Sequence, residues 1–230
     1  MEPLIERFLD EIAPRRAAAT VRAYGSDLRQ LADVVAEVGA MLPTTELMRT
    51  ALRRFGTTPV TRARKLASFR SFGAYLVRIG ELAADPSLPL EAPYRRRPLP
   101  KGISEGEAER LLDGQEVGKT PARDHVILEL LYSAGMRAAE VVSVRRLDVD
   151  LATGSARVRG KGAKERIVLF GAPCIRAIEN WLAIRPQSDA PELILNADGR
   201  PLTTRTVQNV VKRWARVNGL SPQVSPHTLR

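Results

Sequence analysis

The sequence is poor in the residues that form disulfides, metal sites and membrane spans. Its 230 residues include one cysteine, Cys174, and two histidines, His125 and His227. A single cysteine excludes an intramolecular disulfide and a zinc site built from several thiolates, and we expect neither a metal nor another cofactor. No apolar run reaches the roughly 18 residues that a membrane-spanning helix needs, and the N-terminus lacks a signal-peptide pattern. We therefore expect a cytoplasmic protein.

Lysine is also scarce, whereas arginine is abundant. The chain has 36 lysines and arginines against 26 acidic residues, which gives a formal net charge of +10 at pH 7. Such an excess indicates an anionic partner, and nucleic acid is the commonest one for a basic chain; a basic surface kept for solubility is the alternative. With 44% hydrophobic residues, the chain is long enough for two modest domains or one large one.

The N-terminal part predicts a small all-α domain, which we place at residues 1–92. Apolar residues recur at helical spacing over residues 3–12, then from Pro14 to Gly39, from Pro43 to Gly56, and from Thr61 to Ile79. Four helices joined by short connections are typical of a compact helical domain.

The fourth of these helices carries basic side chains off its apolar stripe, at Arg62, Arg64, Lys65 and Arg70. Because no acidic residue lies between Arg62 and Arg78, the pattern favours contact with DNA phosphates. An ordinary solvated helix face is the alternative.

A proline-rich stretch over residues 81–102 predicts an interdomain linker, which we assign to residues 93–102. Its prolines forbid a helix, and Arg95, Arg96, Arg97 and Lys101 add positive charge. This extended backbone either lies along DNA or is simply a flexible tether.

Residues 103–230 predict a second, α+β domain. A capping box at Ser104 and Glu107 starts a helix, and further helical patterns cover about 121–135, 138–144, 173–184 and 204–218. Alternating segments at 156–159 and 166–169 flank a Gly-Lys-Gly loop and predict a β-hairpin. The polar face of the last helix suits either a DNA groove or solvent; its candidate DNA contacts are Arg205, Lys212 and Arg213.

Four side chains have the chemistry to bind and cleave a phosphodiester. Cleavage without a metal needs cations on the non-bridging oxygens together with proton donors and acceptors. Arg137 and Arg230 suit the first role, because the guanidinium fork binds two oxygens and stays charged. Lys161, between two glycines, suits protonation of a departing 5′ oxygen, and His227 suits acid or base catalysis. The His227–Arg230 spacing, with Pro226 in the first turn, predicts a helix start.

Three segments together resemble the tyrosine recombinase (phage integrase, Xer-type) family. The first resembles its first arginine box, the second its hairpin lysine and the third its His-x-x-Arg box, and their order and separations agree. They are Leu130-Leu131-Tyr132-Ser133-Ala134-Gly135-Met136-Arg137-Ala138-Ala139-Glu140, Gly160-Lys161-Gly162-Ala163-Lys164-Glu165-Arg166 and His227-Thr228-Leu229-Arg230.

The resemblance implies a mainly α fold with a small antiparallel β-hairpin or sheet. The N-terminal domain would be a four-helix, SAM-like core-binding domain, and the C-terminal domain the α+β catalytic domain. The implied activity is site-specific recombination of double-stranded DNA through a 3′-phosphotyrosyl intermediate, by tetramers of the full-length protein.

The resemblance also assigns roles to residues. It makes Arg137, Lys161, His227 and Arg230 catalytic, with Lys164 as a rival to Lys161. Glu140 resembles the carboxylate that supports the first arginine, although a pairing for stability alone is the alternative.

The nucleophilic tyrosine of the family would follow Arg230. The tyrosines present are Tyr24, Tyr75, Tyr94 and Tyr132, and we expect Tyr132 to be a core residue. We therefore expect a truncated recombinase whose 230 residues bind DNA without forming the phosphotyrosyl link. The alternatives are a naturally truncated DNA-binding protein that occupies or regulates recombination sites, and an unrelated basic helical regulator.

Overall fold

The computed structural model describes residues 1–93, 102–160 and 164–230. Contacts between residues divide the chain into two compact units, Met1–Pro98 and Leu99–Arg230. No described helix has the length and apolar content needed to cross a membrane.

The first unit consists of the four predicted helices. They are α1 (Glu2–Ile12), α2 (Ala18–Glu37), α3 (Thr45–Phe55) and α4 (Pro59–Arg78). The side chains of Thr44 and Thr58 cap α3 and α4 by accepting hydrogen bonds from backbone N–H groups three residues on. The core contains the rings of Phe8, Phe72 and Tyr75, whose centroids lie 5.3–6.1 Å apart. The helical prediction for this unit is confirmed.

The first part of the proline-rich stretch packs against these helices instead of forming a free tether. Thr45 Oγ1 donates a hydrogen bond to the Pro86 carbonyl (2.7 Å), and Arg70 Nη2 donates to the Leu90 carbonyl (2.8 Å). The Leu90 side chain is buried in the core. Asp85 lies so close to Gly73 that a Cβ atom there would overlap its carboxylate. The residues Arg95, Arg96 and Arg97 lie outside the described residues.

The second unit packs helices around a small sheet. Its helices are α5 (Glu105–Leu112), α6 (Pro121–Tyr132), α7 (Ala138–Ser143), α8 (Ala172–Ile184) and α9 (Thr204–Val217). The capping box of Ser104 and Glu107 is present, as predicted. The largest core side chains are Trp181 and Trp214, contributed by α8 and α9.

The sheet has three antiparallel strands in the order β1 (Val149–Asp150), β2 (Ser155–Arg159) and β3 (Glu165–Leu169). β2 and β3 form the predicted hairpin, and β1 is an additional short strand. In their register Ala156 faces Val168 and Val158 faces Arg166. The mainly α fold with a small antiparallel sheet is therefore confirmed.

Candidate active site

The loop between α6 and α7 presents Arg137. Gly135 has a φ of 58°, a conformation that glycine adopts without strain, and it turns the chain from α6 toward α7. Arg137 then stands at the N-terminus of α7, where its backbone N–H donates to Glu140 Oε2 (2.7 Å). Its side chain donates from Nη1 to Glu140 Oε1 (2.9 Å) and remains about half exposed. The guanidinium is therefore held from one side and open on the other.

Glu140 is a buried carboxylate with three donors. Its side chain is only 2% exposed, and besides both Arg137 groups it accepts from Arg166 Nη2 on β3 (2.7 Å). Burial raises the pKa of Glu140, but the hydrogen bonds from Arg137 and Arg166 outweigh it and hold that pKa below its ordinary value. Glu140 is therefore an ionised carboxylate that holds the Arg137 guanidinium in place; its supporting role in catalysis stays a prediction.

The last described residues form a single turn at the place where the sequence predicts a helix start. Both Thr228 N and Leu229 N donate to the Ser225 carbonyl, and Thr228 Oγ1 accepts from Ser225 N within the same turn. The Leu229 bond has the i→i−4 spacing of an α-helix, and the bond from Ser225 N to Thr228 Oγ1 is of the kind that a capping box makes at a helix N-terminus. Leu229 is buried beside the turn, whereas His227 and Arg230 are exposed.

Arg230 is fastened to the loop that carries Arg137. Its Nε donates to the Gly135 carbonyl (2.9 Å), although 95 residues separate the two in sequence. A groove of about 560 Å³ results, and it brings Arg137, His227 and Arg230 together as the sequence motifs predict. Its lining residues are Arg137, Ala138, Gln208, Lys212, Ser225, Pro226, His227 and Arg230.

The β2–β3 hairpin ends beside this groove. Gly160 N donates to the Lys164 carbonyl (2.8 Å) and closes the hairpin. A Cβ atom at Gly160 would lie 3.6 Å from Glu140 Oε1 and 3.9 Å from Arg137 Nη1. Lys161 itself lies outside the described residues, and Lys164 is exposed.

The described residues that line the groove include no nucleophilic side chain of the expected type. Tyr132, the last residue of α6, is 39% exposed, so the prediction that it belongs to the core is wrong. It follows the buried residues of α6, at the end where that helix leaves the core. Burial and the nearby Glu129 carboxylate raise the pKa of Cys174 to about 12. That thiol is therefore protonated and inaccessible, and is not a candidate nucleophile.

The structure corrects one of the phosphate contacts predicted on α4, at Lys65. Lys65 is 4% exposed, and its ammonium binds Asp27 Oδ1 (2.8 Å) and Gln30 Oε1. Arg64 also binds the Asp27 carboxylate with two nitrogens. Asp27 comes from α2, so its charge is adjacent in space although no acid lies nearby on α4. The prediction is wrong for Lys65. Arg64 binds the same carboxylate but remains 45% exposed, and its phosphate contact stays a prediction.

Arg62 belongs to a basic hollow that the sequence analysis missed. A recess of about 320 Å³ is lined by Arg62 of α4 and by Arg49 and Arg53 of α3, together with the acidic Glu91. Arg49 also binds the carboxylate of Glu46. The signal was present, since Arg49 and Arg53 are four residues apart and so share one helix face. Arg70, also exposed, has one nitrogen occupied by the Leu90 carbonyl.

The polar face of α9 divides into two parts. Arg205 is exposed at its N-terminal end, and Lys212 lines the groove with Arg137 and His227. Arg213 instead binds the fully buried Asp124 of α6, which also accepts from Arg123 (2.6 Å). Arg213 therefore makes an interhelical ion pair; its side chain remains 41% exposed, and its DNA contact stays a prediction. Across the described ranges, no three His, Cys, Asp or Glu side chains have an arrangement that could hold a metal ion.

Comparison with known proteins gives family matches to both units. The description "Phage integrase family" matches residues 101–230, and "Phage integrase, N-terminal SAM-like domain" matches residues 5–80. The tyrosine recombinase XerC of Chromobacterium violaceum is 36% identical over 100% of this chain and 79% of its own length. That of Corynebacterium glutamicum is 35% identical over 100% of this chain and 77% of its own length.

Solved structures show the same fold at lower identity. A lambda integrase tetramer bound to a Holliday junction has a TM-score of 0.75 at 14% identity, covering 99% of this chain and 70% of that one. XerH site-specific recombinase in a post-cleavage complex with a palindromic difH substrate has a TM-score of 0.76 at 18% identity, covering 95% and 69%. The sequence boxes, the groove that unites them and the matches over both units lead to one conclusion: the chain belongs to the phage integrase family, whose XerC members are tyrosine recombinases, and it is an enzyme by family.

Proposed function

We propose that the chain binds duplex DNA at a recombination site and holds the scissile phosphate in the groove of Arg137, His227 and Arg230. The observation that carries this proposal is the Arg230–Gly135 hydrogen bond, which joins two sequence motifs into one cationic site. The matches to XerC recombinases support it. The protein would act in the cytoplasm, where its DNA lies.

The groove suits a strand-transfer reaction. Arg137 and Arg230 would each bind non-bridging oxygens, so that they stabilise the negative charge that grows at phosphorus. A tyrosine hydroxyl would attack phosphorus, forming a P–O bond to the tyrosine while the P–O5′ bond breaks. His227 would serve as an acid or base toward the nucleophile or the phosphate, and Lys161 would give a proton to the departing 5′ oxygen. The reverse reaction, with a new 5′ hydroxyl, rejoins the strand.

DNA contacts would come from both units. In the first they would include Arg62, Arg70 and the neighbouring Arg49 and Arg53, and Arg95, Arg96 and Arg97 of the predicted linker would add to them. In the second, Arg205 and Lys212 lie on the exposed face of α9. The lambda integrase tetramer on a Holliday junction supports a tetramer on DNA for the full-length protein.

We further propose that these 230 residues bind DNA but do not cleave it by themselves. The described residues that line the groove include two arginines, a histidine and a lysine, but no tyrosine. Among the described tyrosines, Tyr24 and Tyr75 belong to the first unit and Tyr132 ends α6.

A nicked suicide duplex tests both statements with the same polypeptide. We expect a gel shift but no covalent adduct after denaturation. Arg137→Gln should weaken binding about tenfold, because one charge-assisted hydrogen bond to phosphate is worth roughly 1.4 kcal/mol. Arg176→Gln, the same charge change at an exposed position on α8, is the matched control.

Two outcomes would contradict the proposal. A denaturation-resistant adduct would show that one of the present tyrosines is competent. Equally weakened binding in the Arg137 and Arg176 variants would show that the groove is not the phosphate site.

A second candidate is a non-catalytic protein that occupies or regulates recombination sites. The cationic groove, whose described lining includes no tyrosine, favours it, since such a chain would compete for DNA. Added to a reaction of an intact recombinase on its own site, it should lower the rate of cleavage in proportion to site occupancy. Unchanged cleavage at full occupancy would rule this candidate out.

A further inference from the structure

Arg166 occupies a strand position that normally holds an apolar side chain. Along β3 the residues alternate between exposed and inward positions, and Val168 is inward and buried. Arg166 is two residues before Val168 and pairs with the buried Val158 of β2, so it faces the same side. The Arg166 side chain stays 39% exposed, but its guanidinium on that side gains from a hydrogen-bonded partner of opposite charge. Its partner is Glu140, at 2.7 Å.

This ion pair decides how Glu140 can hold Arg137. Glu140 Oε2 is occupied by the backbone N–H of Arg137 and by Arg166, and only Oε1 accepts from the Arg137 side chain. Arg166 therefore blocks the two-pronged pairing that an arginine and a carboxylate otherwise prefer. Among the described residues no acceptor binds Nη2 or Nε of Arg137, and both can therefore donate to a phosphate.

The same ion pair affects the charge of the groove. One carboxylate between two guanidinium groups leaves a net charge of about +1. Without Arg166 the Glu140 charge would largely cancel that of Arg137.

Arg166 also fastens the hairpin to α7. Gly160, which follows the end of β2, lies beside Glu140 and Arg137. Arg166 on β3 binds Glu140, so both strands of the hairpin contact the Glu140–Arg137 pair. The segment between Gly160 and Lys164, which contains Lys161, starts and ends at this anchored point.

We propose that Arg166 is a positioning residue, which acts through Glu140 to keep the Arg137 guanidinium directed at phosphate and to hold the β2–β3 hairpin beside the groove. This inference rests on the proposed function, because it assumes that Arg137 binds a DNA phosphate.

A double-mutant cycle on the 230-residue chain distinguishes this role from direct DNA binding. The probe is a fluorescein-labelled DNA duplex, and its affinity is measured by anisotropy over a range of salt concentrations. Arg166→Gln should weaken binding roughly fivefold, a coupling of the size seen between neighbouring residues. In a Glu140→Gln background the same change should have almost no further effect. Arg166→Lys should weaken binding less than Arg166→Gln, because it retains the charge.

The dependence on salt gives a second criterion. Replacing a side chain that itself binds a phosphate lowers the slope of log affinity against log salt by about 0.9, whereas a change in positioning leaves more of that slope intact. An equal effect of the substitution in both backgrounds, with a slope lower by about 0.9, would make Arg166 a direct phosphate ligand and overturn the proposal. If Arg166→Gln binds DNA normally while Arg137→Gln binds weakly, the positioning role fails and the proposed function stands. If neither variant differs from Arg176→Gln in affinity, the proposed function itself fails.

Two measurements without DNA distinguish a loss of positioning from a loss of folding. Far-UV circular dichroism first establishes that each variant is folded. The ¹³C carboxyl signal of Glu140 is then titrated, and its pKa should rise in Arg166→Gln, because a hydrogen bond and a positive charge are removed. An unchanged titration in a folded variant would mean that Arg166 does not act on Glu140, and would also overturn the proposal.

Discussion

At the scale of single residues, the site is organised by the carboxylate of Glu140, to which we assign no direct contact with DNA. Glu140 is buried, yet every donor that it accepts from belongs to a residue at or beside the groove. Its negative charge keeps two arginines close together, which their mutual repulsion would otherwise oppose. A buried anion of this kind affects both stability and binding.

Glu140 should therefore make stability depend on pH. The folded-state pKa lies below the unfolded one, so its contribution is fully present above the unfolded pKa of about 4.3 and is lost as pH falls through the folded pKa. At pH 7, Glu140→Gln should lower the free energy of unfolding by about 2 kcal/mol, a figure reduced for the exposure of both arginines. Urea unfolding followed by tryptophan fluorescence measures this, since Trp181 and Trp214 lie in the second unit.

The difference between variant and parent should shrink as pH falls below 4, because the parent carboxyl then becomes neutral as well. Glu165→Gln is the matched control: Glu165 is exposed, and its ion pair in the described structure is with Arg159. If the difference in unfolding free energy between Glu140→Gln and the parent stays constant down to pH 3, a charge-based role is contradicted.

At the scale of elements, α4 has two different uses for its cations. Lys65 and Arg64 turn toward Asp27 of α2 and hold two helices together, while Arg62 faces the hollow shared with α3. Arg62 therefore has different neighbours from Arg64 and Lys65, although they are only two and three residues apart on α4.

Variants of this helix should separate stability from binding. Asp27→Asn leaves the buried Lys65 ammonium without a counter-charge and should lower the unfolding free energy by about 3 kcal/mol. Arg62→Gln should change stability by less than about 0.5 kcal/mol but weaken binding to duplex DNA. Circular dichroism at 222 nm follows the helices of both units, whereas tryptophan fluorescence follows the second unit, because the first contains no tryptophan. A loss of ellipticity that precedes the fluorescence change therefore reports unfolding of the first unit, and anisotropy reports binding. A large loss of stability in Arg62→Gln together with none in Asp27→Asn would contradict these roles.

The helices and the hairpin were predictable because their signals are local. The capping box at Ser104, the glycine at Gly135 and the alternation in β2 and β3 each involve residues within a few positions of one another. The motifs likewise identified Arg137, His227 and Arg230. The partners of Lys65 and Arg213 were not predictable, because Asp27 and Asp124 come from other helices, 38 and 89 residues away in sequence. Helical periodicity fixes a face but not which charges meet across it.

At the scale of the whole molecule, positive charge is spread over both units. The net charge of +10 includes the Arg49, Arg53 and Arg62 hollow in the first unit and the groove with Arg205 and Lys212 on α9 in the second. Ion pairs partly neutralise several arginines at the surface, including Arg49 of the hollow; they are Arg78–Glu11, Arg54–Glu37 and Arg49–Glu46. Each unit therefore has its own cluster of basic side chains that could bind a polyanion.

If both units bind one duplex, their contributions to the salt dependence of affinity should add. Each phosphate that a cation neutralises contributes about 0.9 to the slope of log affinity against log salt. Replacing Arg53 and Arg62 by glutamine should lower the slope by about 1.8, and so should replacing Arg205 and Lys212. The fourfold variant should lower it by about 3.6, as measured by anisotropy between roughly 50 and 300 mM salt. If one pair leaves the slope unchanged, that unit does not bind DNA phosphates, and binding by both units is wrong.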